Sequence, residues 1–153
     1  MLSIIEKVIF LQDVDIFKHI SSEDLSYVAS ITVEQNVEKD SVIYKEGDIS
    51  DSMYMVIEGK VRLHVGESLV MIAELNDVFG AWSLFDDEVR LISATAFEES
   101  LLLKIDKADM IELLADHVGV TEGILKAMAK RLQNITRKVG SDFDKVQKQT
   151  PSK

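Results

Sequence analysis

The sequence contains no cysteine and only one proline among its 153 residues. Without cysteine the chain can form neither a disulfide framework nor a thiolate metal site, which fits a reducing compartment. The proline is Pro151, so no strand upstream loses a ladder hydrogen bond to a missing N–H. Glu6 and Lys7 interrupt the apolar start, which also lacks the features of a cleaved leader. We expect a cytoplasmic protein without membrane insertion.

Positive charge is also scarce. Lys and Arg number 17 against 27 Asp and Glu, which gives a formal net charge of -10. An acidic surface repels the phosphates of nucleic acids and of anionic lipids, so we expect no nucleic-acid partner. The apolar fraction of 46% and the charged fraction of 29% are typical of a globular protein, and the length suits one domain.

The first 106 residues divide into two zones by hydrophobic period. Residues 1–30 have helical spacing, and Ser21 is the expected N-cap of a second helix. Residues 31–106 contain seven short stretches rich in β-branched and aromatic residues, separated by turn signals such as "KEGD" and "EGK". Seven or eight short strands of this kind predict a β-sandwich or a closed barrel.

Helical spacing returns in the last part of the same domain. Over residues 107–139 we expect two helices, the first capped by Asp106, with a break marked by Gly119 and Gly123. Residues 140–153 have weak periodicity and end in small polar residues, so this segment is predicted to be a flexible tail.

The stretch "DVFGAWSLFDDEVRLISAT" carries the strongest functional signal. Gly80 permits close backbone approach to a ligand, and residues 81–85 can form one helical turn whose N–H groups favour an anion. Arg90 follows, and its guanidinium matches phosphate oxygens in a two-pronged contact. Together these residues predict a phosphate cradle.

Two side chains of this stretch have simpler alternatives. Arg90 follows three acidic residues, and the favoured alternative is that it pairs with Asp86, Asp87 or Glu88 and closes the loop. Trp82 can cover a ligand base or sugar, although packing against the barrel is the more common role of such a tryptophan.

The glycine and arginine pattern resembles the cyclic nucleotide-binding domain family. The similarity rests on Gly47-Asp48, Gly59, Phe79-Gly80 and Arg90, and it covers about residues 11–132. It implies a mainly β fold, an eight-stranded antiparallel jelly-roll β-barrel with N-terminal and C-terminal helices. It also implies a phosphate-binding cassette between two barrel strands, and a regulatory module rather than an enzyme.

The cassette departs from the family pattern at its ligand contacts. The family's Phe-Gly-Glu reads Phe-Gly-Ala here, so Ala81 replaces the glutamate that grips the ribose 2′-hydroxyl. Val89 stands in place of the usual proline, and Leu91 replaces a small residue close to the phosphate. The candidate ligand-binding residues are Phe79, Gly80, Ala81, Trp82, Ser83, Arg90 and Leu91.

These departures predict a degenerate cassette in which ordinary binding of cAMP or cGMP is weak or lost. The terminal helices could then respond to another small anion. The alternatives are a sensor that still binds a cyclic nucleotide through Gly80 and Arg90, and a constitutive dimerisation or docking domain. His19, His64 and His117 lie in separate segments without paired spacing, and we expect His64 to be a solvent-facing strand residue. The residue pattern therefore predicts neither a metal site nor a catalytic constellation.

The last helix carries an apolar seam with steps of three and four residues. A homodimer through Leu125, Met128, Leu132 and Ile135 is one interpretation, with Val139 continuing the seam. The slightly favoured alternative is that this seam packs against the chain's own barrel. The residues after the helix are too few for a helix-turn-helix, so we expect a stand-alone barrel or a module of a larger parent chain or protein assembly.

Overall fold

In a computed structural model, which describes residues 1–81 and 85–149, the chain begins with helices. Helix α1 spans Ile4–Leu11, a 3-10 turn spans Asp15–Phe17, and helix α2 spans Ser22–Ser30. The Ser21 hydroxyl accepts a hydrogen bond from the Asp24 N–H at 3.2 Å, which satisfies one open donor of the first turn. The predicted start of the second helix is confirmed.

Eight antiparallel strands follow and form two four-stranded sheets. Their order in space is β1-β8-β3-β6 in the first sheet and β2-β7-β4-β5 in the second. This arrangement confirms the predicted jelly-roll class. The eighth strand, β6, is only two residues long and was not among the predicted strands. In chain order the strands are β1 Thr32–Val37, β2 Val42–Tyr44, β3 Ser52–Glu58, β4 Val61–Val65, β5 Ser68–Ala73, β6 Val78–Phe79, β7 Ser93–Ala96 and β8 Ser100–Asp106.

Strand β3 separates two hydrophobic clusters because both of its faces are covered. Met53 and Met55 point into a cluster shared with the helices, whereas Tyr54 and Val56 point into the space between the two sheets. All four side chains are buried, since alternate strand residues face opposite sides of the sheet. The interior of the barrel is therefore filled by side chains next to the predicted cassette.

The C-terminal helices differ from their predicted boundaries. Helix α3 spans Lys107–Asp116 and helix α4 spans Val118–Gln149, so the break lies at His117. The predicted end at Val139 is wrong, because the helical hydrogen bonding continues through Gln149. Asp106 occupies the N-cap position, but its side chain makes no capping hydrogen bond and lies 3.6 Å from Lys104.

Gly119 and Gly123 lie inside helix α4 rather than at a break. A Cβ atom at Gly119 would overlap the Asp24 carboxylate, and one at Gly123 would overlap the Ile20 side chain. These glycines therefore permit close packing of helix α4 on the N-terminal helical segment, which positions the terminal helices against each other.

No helix within residues 1–81 and 85–149 combines the length and the hydropathy needed to cross a membrane.

We predict that Gly123→Ala destabilises the fold by about 1–3 kcal/mol, because the added methyl group must displace Ile20 or the His19 carbonyl in a packed contact. Urea unfolding followed by circular dichroism measures the change. Gly140→Ala is the matched control in the same helix, since nothing lies within 4 Å of its added Cβ. We expect the control to be neutral or to gain up to about 1 kcal/mol. Equal destabilisation by both substitutions would contradict the packing role of Gly123.

Candidate functional site

The cassette begins where strand β6 ends. Gly80 follows Phe79 with a φ of 75°, a left-handed conformation that side chains disfavour. A Cβ atom at Gly80 would also lie 2.6 Å from Arg90 Nη1 and 3.3 Å from the Ser52 carbonyl oxygen. Gly80 thus gives the guanidinium the room that it occupies. Trp82 and Ser83, two predicted ligand-binding residues, lie outside the described residues.

The Arg90 side chain is buried and is held by backbone oxygens. Its Nη2 donates to the carbonyl oxygen of Ser52 at 2.7 Å and to the Ser52 hydroxyl at 3.2 Å. Its Nη1 donates to the carbonyl oxygen of Gly80 at 3.2 Å. The guanidinium carbon lies 3.9 Å from the centre of the Tyr44 ring, a cation–π contact. Arg90 is 5% exposed, so these contacts replace water around the cation.

The predicted pairing of Arg90 with the acidic loop is wrong. Within the described part of the chain Arg90 makes no ion pair, and its Nε has no hydrogen-bond partner. Lys107 pairs with the acidic loop instead. Its Nζ donates to Asp87 Oδ1 at 2.9 Å and to the carbonyl oxygen of Asp86 at 3.2 Å. The hydrogen bond from Lys107 lowers the pKa of Asp87. A buried cation without a carboxylate is an electrostatic setting that favours an anion.

The Arg90 backbone is fixed by the turn that follows strand β2. The Gly47 N–H donates to the Arg90 carbonyl at 2.8 Å, and the Arg90 N–H donates to the Asp48 carbonyl at 2.9 Å. Ile49 and Val89 extend this pairing as an isolated antiparallel bridge. The sequence predicted a turn at this position but not its contact with Arg90, because the two segments lie far apart in the chain.

The Tyr44 ring, which contacts the guanidinium, packs with Tyr54 and Phe79, and of these three rings only Phe79 was identified from the sequence. The ring centres of Tyr54 and Phe79 are 5.2 Å apart, and Tyr44 lies 6.0 Å from Tyr54 and 6.2 Å from Phe79. Burial raises the pKa of Tyr44 to about 12, partly opposed by the positive charge of Arg90 and reinforced by Tyr54. Phe79, a predicted ligand contact, is 3% exposed and belongs to the barrel core.

A surface cleft of about 530 Å³ opens onto this cluster. Besides Arg90, Tyr44 and Ser52, it is lined by the carboxylate residues Asp48 and Asp51. The cleft therefore contains both a cation and carboxylates. A bound anion would be attracted by Arg90 and repelled by Asp48 and Asp51.

The structure also places Leu91, His64 and Ala81. Leu91, which stands where the family has a small residue, has a side chain that is 75% exposed. His64 was expected to face solvent, but it is half-buried, with Nδ1 2.6 Å from the Gly66 carbonyl oxygen and Nε2 2.8 Å from the Thr95 hydroxyl. Ala81 is half-buried and supplies no carboxylate to the cassette.

The apolar seam of helix α4 does not pack against the barrel, so the alternative that was slightly favoured from the sequence is wrong. Leu125, Leu132 and Ile135 are 60%, 66% and 53% exposed, and Met128 alone of the four is partly buried against the core. Arg131 anchors this part of the helix through an ion pair of 3.0 Å with Asp15. Beyond that contact the helix leaves the barrel with its apolar residues exposed.

We predict that the Tyr44 phenol ionises only at strongly alkaline pH. Its folded-state pKa lies above the ordinary value of 10.0, so its contribution to stability is complete below that pH and falls as pH rises towards 12. Ultraviolet titration of the folded protein should show a tyrosinate step near pH 12 that Tyr44→Phe removes. Tyr27→Phe, at a ring that is 39% exposed, is the control and should keep the step. Persistence of the late step in Tyr44→Phe would contradict this assignment.

Two known proteins are similar in sequence to this chain. The CRP-like cAMP-activated global transcriptional regulator of Mycobacterium tuberculosis is 31% identical over 96 residues, which cover 60% of this chain and 43% of that protein. The cyclic AMP receptor protein of Thermus thermophilus is 28% identical over 123 residues, covering 77% of this chain and 57% of that protein. The chain thus spans about half the length of these relatives.

A solved structure and a family model also match this chain. The N-terminal domain of a transcriptional regulator from Streptomyces coelicolor A3(2) superposes with a TM-score of 0.77 at 26% identity, covering 85% of this chain and 94% of that chain. The model of the cyclic nucleotide-binding domain matches residues 34–117, more than half of the sequence. With two antiparallel sheets and a glycine–arginine cassette, the chain belongs to the cyclic nucleotide-binding domain family.

Proposed function

We propose that this chain is a non-enzymatic regulatory module whose Arg90 site takes a small anion, with ordinary binding of cAMP or cGMP weak or lost. The observation that carries the proposal is the state of Arg90. Its guanidinium is buried without a described carboxylate partner and already donates to Ser52 and Gly80. A ligand phosphate must replace these hydrogen bonds before it gains from the cation.

The energetics of the cassette support weak nucleotide binding. A hydrogen bond to a charged group contributes about 1.5–3 kcal/mol, so each bond that Arg90 gives up offsets part of the phosphate contact. Ala81 offers no carboxylate to a ribose 2′-hydroxyl, and the loss of such a contact reduces affinity by about tenfold to a hundredfold. A compact anion that does not depend on a ribose contact avoids the second loss.

A contact between the cassette and helix α3 supports a regulatory role. The Lys107 N–H donates to the Asp51 carbonyl at 2.8 Å, beside the Ser52 that holds Arg90. The Lys107 ammonium group holds Asp87 on the other side of the cassette loop. An anion that draws Arg90 away from Ser52 would disturb the segment that carries Asp51 and the loop that carries Asp87, and both contact Lys107. A ligand that changes the contacts of one state in this way can shift the position of helix α3.

A second candidate function is constitutive docking or dimerisation through helix α4. The exposure of Leu125, Leu132 and Ile135 favours it, because a helix that buried this seam on its own barrel would leave no face for a partner. In that case nucleotide has no effect on the interaction.

We predict that cAMP and cGMP bind the protein with dissociation constants above about 100 µM. At ~1 mM nucleotide the stabilisation is then at most about 1.4 kcal/mol, which calorimetric titration and thermal melting can detect. Any residual binding should disappear in Arg90→Ala, compared at matched folding by circular dichroism. A dissociation constant of a few micromolar would contradict the degenerate-cassette proposal and select the cyclic-nucleotide sensor.

We predict that Ala81→Glu strengthens cAMP binding by about tenfold or more, because it restores a carboxylate at the family's ribose-binding position. Isothermal titration of both proteins with cAMP measures the gain. Ala81→Gln is the control of similar size without charge, and it should gain less. If a folded Ala81→Glu protein shows no gain, the missing ribose contact is not what limits nucleotide binding.

A further inference from the structure

A second cleft lies between the N-terminal segment and helix α4. Its volume is about 400 Å³, and the described residues that line it are all different from those of the cleft at Arg90. One wall is formed by the 3-10 turn and the residues that follow it, and the other wall is the middle of helix α4. The polar residues that line the cleft are Asp15, His19, Lys130, Arg131, Asn134 and Lys138.

Positive charge prevails in this cleft, although the whole chain carries a net charge of -10. Among the described residues, three cationic side chains line it, against one carboxylate, that of Asp15. The Asp15 carboxylate is already balanced, because it lies 3.0 Å from Arg131 Nη2 and 3.8 Å from Lys18 Nζ. Lys130 and Lys138 form no ion pair within residues 1–81 and 85–149. Two ammonium groups are therefore available to an anion.

His19 and Asn134 add nitrogen donors to the same cleft. An imidazole ring and a side-chain amide both carry N–H groups that can donate to an oxyanion. Lysine and arginine donate to phosphate through stronger, charge-assisted hydrogen bonds. The donor set therefore suits phosphate groups, whose oxygens accept from several donors at once.

The positions of the cations indicate the length of the ligand. Arg131 and Lys130 lie seven and eight residues before Lys138, which corresponds to roughly 10–12 Å along the helix axis. An orthophosphate ion is shorter than this span, so it meets the cations of one end only. An anion with phosphate groups at both ends can meet all three cations, with Asn134 between them. The spacing favours an extended ligand with two or more phosphate groups.

The cleft uses a different face of helix α4 from the apolar seam. At 3.6 residues per turn, Ala127 and Lys138 of the cleft lie roughly 120° around the helix from Leu132 and Val139 of the seam. Ile135 belongs to both surfaces. The cleft therefore does not require the seam to be free, and it is compatible with a second copy of this chain on the seam.

We propose that this cleft binds a small, extended molecule with two or more phosphate groups. The ligand pairs with Lys130 and Lys138 and competes with Asp15 for the guanidinium of Arg131. Because it contacts both walls, it stabilises the observed position of helix α4 against the 3-10 turn. The site does not use Arg90, so it goes beyond the proposed function, and either site can fail without the other.

Isothermal titration of the full chain with tripolyphosphate and with orthophosphate tests the length of the ligand. Tripolyphosphate should bind at least about tenfold more tightly, with an affinity that falls as salt is raised. A hexose 1,6-bisphosphate is titrated in parallel, and the tighter of the two extended ligands tells an inorganic from an organic source. Equal affinity for tripolyphosphate and orthophosphate, or no binding of either extended ligand, overturns the proposal.

Paired substitutions locate the site. Lys130→Ala with Lys138→Ala should weaken tripolyphosphate binding by about fivefold or more, because two exposed cations are lost from the cleft. Lys126→Ala with Arg137→Ala removes the same charge from exposed positions of the same helix that do not line the cleft, and it should change the affinity by less than about twofold. Equal losses in the two variants would indicate general attraction to a basic helix and overturn the proposal.

Two further variants separate this cleft from the cassette. Asp15→Asn should strengthen tripolyphosphate binding by about twofold or more, because it removes the carboxylate that repels the ligand. Arg90→Ala should leave tripolyphosphate binding unchanged, compared at matched folding by circular dichroism. Binding that is lost in folded Arg90→Ala but retained without Lys130 and Lys138 would assign the anion to the cassette. That result overturns this proposal and leaves the proposed function intact.

Discussion

The buried guanidinium of Arg90 is the interaction on which the site and much of the barrel depend. It reaches Ser52 at the start of strand β3, Gly80 at the end of strand β6 and the ring of Tyr44 in strand β2, so it joins the two sheets. A cation in such a place costs solvation energy, which carbonyl oxygens and an aromatic face recover only in part. The arrangement holds Gly80 and Ser52 together and leaves the cation without a carboxylate partner among the described residues.

The same arginine connects the cassette with the terminal helices. Ser52, which accepts from Arg90, neighbours Asp51, whose carbonyl oxygen holds the first residue of helix α3. Lys107 then returns to the acidic loop through Asp87, an exposed residue whose ion pair is weak in water. The connection is therefore firm at the backbone and adjustable at the side chain, as a regulatory module requires.

The net charge of the whole chain does not show that the last helix is positively charged. The total of -10 argues against nucleic acids and anionic lipids as partners, but residues 126–149 have the opposite sign. If the apolar seam packed along the barrel, these basic residues would form only a solvated flank of the helix. The exposure of Leu132 and Val139 changes this interpretation, because apolar and basic residues then share one accessible surface.

The order of elements, the Ser21 cap, and the glycine and arginine of the cassette could all be predicted from the sequence. These features depend on short-range periodicity, on capping chemistry or on a family pattern, all of which are local. Strand β6 could not be predicted, because two residues are too few to show a strand period. Helix α4 was predicted to end too early, because Gly140 and the polar residues after it resemble a helix end.

The contacts of Arg90, in contrast, depend on how distant segments pack together. Its acidic neighbours in the chain were the obvious partners, yet they lie outside the barrel, whereas Ser52 and Tyr44 approach it from strands distant in sequence. Close packing likewise turned Gly119 and Gly123 from a predicted break into contacts with the N-terminal segment. Long-range pairing of strands and helices sets these contacts, and no local pattern of residues encodes them.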